Sequence, residues 1–147
     1  YTFWKRTVPS PMLKTFDAPE REFCTTRRSR TNTPMQALAL LNGPQFGEAA
    51  RHLAERMLSE GGETLNERIT YGFRLVTARV PVQSELALLR SSYTENLQLF
   101  GADKSAAHKL LQVGDSPYNT SLNISKLAAM TSVARLLFNL NETITKG

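Results

Sequence analysis

The chain has 147 residues, 41% of them hydrophobic and 21% charged, which suits one ordinary folded domain and excludes a disordered or collagen-like chain. Its formal net charge is +5, yet residues 1–33 hold seven of the 18 Lys and Arg and three of the 13 Asp and Glu, so the basicity belongs to the N-terminal segment. A single cysteine, Cys24, excludes an internal disulfide framework, and no apolar run nears the roughly 18–20 residues that span a bilayer.

The chain opens YTFWKRTVPSP, without an initiator Met and without the ordered parts of a signal peptide. Leaving Tyr1, Phe3 and Trp4 exposed at an end costs apolar burial. An excerpt of a longer protein is therefore expected, with these aromatics at an exposed or intermolecular surface. Pro9, Pro11 and Pro19 push their predecessors towards extended backbone. Residues 1–33 are thus expected to form an extended arm, ahead of a helical domain over residues 34–147.

The stretch TRRSRTNTPMQALALLNGP, residues 26–44, carries the first helix signal. Thr33, Pro34 and Gln36 spell a capping box with proline at the first helical position. Met35, Ala37, Leu38, Leu40 and Leu41 follow with little polar relief, a pattern that predicts a buried helix. Asn42, Gly43 and Pro44 end it.

Phe46, Ala50, Leu53 and Met57 then mark an amphipathic helix, with Glu48, Arg51, Glu55 and Arg56 assigned to its outer side. After SEGGE, a second capping box, Thr64 with Glu67, leads into Leu65, Ile69, Phe73 and Val76. Leu86, Leu89, Tyr93, Leu97 and Phe100 recur at spacings of three and four, the strongest periodicity in the chain. A short helix near Ser105–Gln112, the turn-rich VGDSP and a long helix from about Leu122 to Leu140 complete the series. No run alternates with period two. The predicted fold class is all-α, an irregular bundle of four to six helices with an extended N-terminal arm.

Arg27, Arg28, Arg30 and Thr33 form the one basic cluster beside a helix start, and they could hold an anion. Asp17, Glu20 and Glu22 match the arginines in number just upstream, which favours structural ion pairs beside the cap made by Thr33 and Gln36. Nucleic acid is disfavoured, because no aromatics interleave with the arginines. Gly114–Ser116 spells GDS, the nucleophile block of one class of lipases and esterases, but no strand precedes it and no His follows, so a turn is expected. His52 and His108 are each solitary in sequence, and Cys24 has no base beside it. No catalytic residue and no metal ligand is assigned. Asn119, Asn123 and Asn141 begin glycosylation sequons, relevant only in a glycosylating pathway.

The block TFDAPEREFCTTRRSRTNTPMQALALLNGPQFGEAARHLAERM resembles the signature of a planctomycete-specific C-terminal domain of unknown function. The closing SKLAAMTSVARLLFNLNETITKG and the opening YTFWKRTVPSP are similar to that family's ends, with Asn141 where an Asp is expected. The resemblance implies a place at the C-terminal end of a large exported protein, periplasmic, cell-surface or secreted. It also implies a c-type cytochrome module, with its haem, elsewhere in the parent chain and no cofactor in this part. The expected role is a non-catalytic accessory or interaction domain whose partners are other domains of the parent. The alternative is part of an enzyme, or a site for a phosphorylated, sulfated or acidic-polysaccharide ligand at the first capped helix.

Overall fold

The computed structural model describes residues 9–19, 24–27 and 31–144. Tyr1, Phe3, Trp4, Glu20, Glu22, Arg28 and Arg30 lie outside the described residues, and so do the expectations attached to them. Among the described residues there are eight helices and no strand. They are α1 (Pro11–Thr15), α2 (Pro34–Asn42), α3 (Pro44–Glu60), α4 (Leu65–Thr77), α5 (Gln83–Ala102), α6 (Lys104–Leu111), α7 (Ile124–Phe138) and α8 (Asn141–Ile144). The fold class is all-α. None of these helices is long and apolar enough to cross a membrane.

Six of them, α2 to α7, follow the sequence signals; α1 and α8 are short additions. Helix α1 corrects the expectation of a wholly extended arm. Proline restrains the residue before it, and Ser10 accordingly stays extended at ψ 132°. Pro11 itself is preset for a first helical position, and Met12, Leu13 and Lys14 continue the turn.

The core is built around α7, whose sequence ISKLAAMTSVARLLF has only two charged residues. Leu127, Ala128, Ala129, Met130, Val133, Ala134 and Leu137 are fully buried, and Thr131 is buried with its hydroxyl bonded to Leu127 O. Small side chains on this helix permit close approach by its neighbours. It packs chiefly between α3 and α5, and also touches α2, α4, α6 and α8. Ala50, Leu53, Ala54 and Met57 face it from α3, Ile69 and Phe73 join from α4, and Leu89, Tyr93 and Phe100 from α5.

Helix α2 is not the buried rod that its composition predicts. Of its residues only Gln36 and Leu40 are buried, while Met35, Leu38 and Leu41 are 62%, 54% and 40% exposed. Nine residues make barely more than two turns, and α2 leans by one stripe on α3 at the edge of the bundle. Leu40 is the large apolar side chain it buries, and Met35, Leu38 and Leu41 are left exposed.

The helices start where local chemistry satisfies their first N–H groups. Thr33 and Thr64 accept from Gln36 and Glu67 in reciprocal capping boxes. Asp103 and Asn123 accept from Ala106 and Lys126 at the starts of α6 and α7. The α3–α4 turn passes so close to itself that a Cβ on Gly61 would stand 2.3 Å from Met57 O. At the far end, Arg79 forks between Glu85 and Glu142 at 2.7 and 2.8 Å and lies over the Phe73 ring, fastening α8 to the α4–α5 turn. These contacts raise the Arg79 pKa and hold Glu85 down at about 2.

Candidate functional site

Two polar clusters emerge from this fold, one at the arm and one at the loop between α6 and α7. At the arm, Asp17 sits in the left-handed region at φ 57°, which turns its carboxylate towards the start of α2. Thr31 donates to it from its backbone N–H at 2.8 Å and reaches it again through its hydroxyl. The buried Gln36 amide joins the same node, donating to Thr15 O at 2.9 Å and Thr31 Oγ1 at 3.1 Å, while its carbonyl accepts Thr33 N–H at 3.1 Å. FDAP and TNTPMQ are thereby locked together across 14 residues of chain. Arg27 is exposed. Asn141, where the resemblance expects Asp, accepts the Asn32 amide at 2.6 Å, an acceptor role that either side chain can fill.

The cap itself is open to test. Thr33→Ala removes the acceptor of Gln36 N–H and is expected to cost about 1 kcal/mol in urea melts, with the fold retained.

The second cluster was not visible in sequence, and it corrects the reading of Arg51. Arg51, assigned to the outer side of α3, is only 1% exposed. Its guanidinium reaches through the bundle edge to Leu111 O at 2.7 Å, Ser116 O at 2.8 Å and Ser116 Oγ at 2.7 Å. The two histidines, solitary in sequence, both meet the same loop. His52 Nε2 is 2.8 Å from Ser116 Oγ, and His108 Nδ1 is 3.0 Å from the Tyr118 hydroxyl. GDS is a turn, as expected, but a His does stand beside its serine, brought from a helix 64 residues earlier.

Glu48 closes the cluster. Its carboxylate accepts the backbone N–H groups of Asp115 at 3.1 Å and Ser116 at 3.0 Å, and also bonds the Ser116 hydroxyl. The Ser116 hydroxyl first, then those two N–H groups, hold the Glu48 pKa at about 2, so at neutral pH it is a carboxylate. Gly114 makes this approach possible: its φ is +107°, and a Cβ there would lie 2.5 Å from Glu48 Oε2. Two turns along α3, Glu55 accepts Asn119 N–H at 2.9 Å and places its other oxygen 3.2 Å from His52 Nδ1.

Other surfaces offer less. A groove of about 720 Å³ runs along the outer face of α4, lined by Thr70, Tyr71, Arg74 and Leu75 among others, without groups converging from a second element. Among the described residues no three His, Cys, Asp or Glu side chains are placed to hold a metal ion. Cys24 is exposed. The sequon residue Asn123 caps α7, and Asn119 binds Ser121 in a local turn.

A family model described as "PSD1: Protein of unknown function (DUF1553)" matches residues 1–93, from the arm into α5. The resemblance read along nearly the whole sequence is thus matched over its first two thirds. No curated protein and no solved structure matches the chain.

Proposed function

The chain belongs to the PSD1 family of proteins of unknown function, and from that premise we propose that it is a helical accessory domain that docks on other parts of a longer exported protein. The observation that carries this is the outward stripe of α2. Met35, Leu38 and Leu41, spaced three apart within the family's signature block, expose apolar surface that this chain's own core does not use. A stripe of this kind fits a matching apolar face, and the parent's other domains are its nearest source. The similarity of the opening and closing segments supports a place at the C-terminal end of a large planctomycete protein, with a cytochrome module and its haem elsewhere in that parent.

Less supports an anion at the same helix start. Thr33 and Gln36 already satisfy each other's N–H groups there, and Asp17 adds negative charge beside them. Arg27 remains the described cation that such a ligand would need.

Oxidative footprinting tests the docking reading. In this chain alone Met35 oxidises at the rate of an exposed methionine. In the whole parent protein it is expected to be protected at least about tenfold, and Leu38→Asp is expected to restore exposure. Equal oxidation of Met35 in both settings overturns the reading.

A further inference from the structure

Ser116, His52 and Glu55 stand in the order that activates a hydroxyl nucleophile. His52 bridges Ser116 Oγ through Nε2 at 2.8 Å and Glu55 Oε2 through Nδ1 at 3.2 Å. Asn119 N–H fixes the other oxygen of Glu55. With Nδ1–H donating to that carboxylate, the neutral ring turns its Nε2 lone pair towards the serine hydroxyl. The desolvated Arg51 guanidinium donates to the same oxygen and favours it as an alkoxide. His52 is 49% exposed, so the cluster opens to solvent.

The N–H groups of Asp115 and Ser116 stand side by side next to that hydroxyl. Paired backbone N–H groups next to a nucleophile stabilise the oxyanion of acyl transfer. Here each holds a different oxygen of the Glu48 carboxylate, and the one on the Ser116 N–H stands where a substrate's oxygen would lie. The serine has one proton, and Glu48 and His52 both compete for it, so Glu48 keeps the serine from its base.

We propose that Ser116 is the nucleophile of a site for carboxylic esters, closed in this conformation by Glu48. When Glu48 swings out, Ser116 Oγ bonds to the ester carbonyl carbon and its proton passes to His52 Nε2. The carbonyl oxygen takes the negative charge and the Ser116 N–H that Glu48 Oε1 held. The bond to the alcohol oxygen then breaks, and the alcohol leaves with the proton from His52. Water adds to the acyl-serine and gives a proton to His52, and the acid departs as Ser116 regains its proton. Ser116 and His52 are the catalytic residues, and Glu55 is a positioning residue. An ester is the fitting class because the two N–H groups already donate to a carboxylate, the product such a reaction leaves. The proposal goes beyond docking and is independent of it, since it rests on α3 and the α6–α7 loop while docking rests on α2.

The alternative use of the same contacts is to fasten the loop, and covalent labelling separates the two. A fluorophosphonate probe is expected to form one adduct, mapped by peptide mass spectrometry to Ser116. Its rate is expected to rise about tenfold in Glu48→Gln, which weakens the closing carboxylate. In His52→Asn it is expected to fall on the order of 100-fold, with helix content by circular dichroism unchanged. Labelling of Ser116 that is indifferent to His52→Asn overturns the proposal. So does the lack of a Ser116 adduct in both the native protein and folded Glu48→Gln. Should Glu48→Gln fail to fold, the native protein decides, and no adduct there is fatal.

Discussion

Arg51→Leu is expected to lower the free energy of unfolding by about 3–5 kcal/mol, measured by urea denaturation. A buried ion pair can sometimes be exchanged for apolar side chains at little cost, because both partners are removed together. That route is closed here. Two of the three acceptors of Arg51 are backbone carbonyls, Leu111 O and Ser116 O, which no side-chain substitution deletes. Leucine leaves them facing an apolar group, and it strips the Glu48 carboxylate of its cationic neighbour at 3.6 Å. The carbonyl of Leu111 also ends α6, where the helix dipole favours a positive charge. Arg51→Lys is expected to fall between, since one ammonium cannot fork to both carbonyls. A leucine variant as stable as the native protein would show that the α6–α7 loop does not depend on this tether.

The second large effect belongs to Phe73→Ala, expected to cost about 3–5 kcal/mol. The ring is only 1% exposed and sits where α4 joins the core around α7. Deleting it leaves a cavity bounded by helices that cannot all close in. It also removes the face over which Arg79 lies, 4.8 Å from the ring centre. Phe73→Leu keeps most of the volume and is expected to lose less than about 1.5 kcal/mol. The check is a pair of denaturant curves with equal slopes, so that the midpoint alone reports stability. An alanine variant no worse than the leucine variant would mean that α4 closes over the gap.

Local chemistry was the part of this fold that sequence carried well. Thr33 with Gln36 and Thr64 with Glu67 mark helix starts because the bonds that make a cap span only three residues. The Leu89, Tyr93 and Phe100 stripe of α5 is legible because one face of a long helix repeats itself. Burial of α2 was misread because α2 and α7 share an apolar composition, and composition does not say which helix lies in the middle. Fifteen residues rich in alanine give α7 surface enough for several neighbours, and nine residues do not give it to α2. Arg51 was misread because its charge suggested solvent, whereas its partners are carbonyls supplied by a loop 60 and more residues later. The same distance hid the meeting of His52 with Ser116, which no spacing rule could join. At the arm, Thr33 and Gln36 were legible as a cap, but the anchoring of Thr31 and Gln36 on Asp17 depends on a left-handed turn that only the fold reveals.

The bond between Asn32 and Asn141 joins residues 109 positions apart. Chain arriving before Asn32 and chain departing after Asn141 therefore meet the helical body at one shared doorway. A pull applied through both flanks would load this amide pair together with the Asp17–Thr31 and Arg79–Glu142 bonds before it reached the core around α7. The core would thereby be sheltered from strain applied at its two ends.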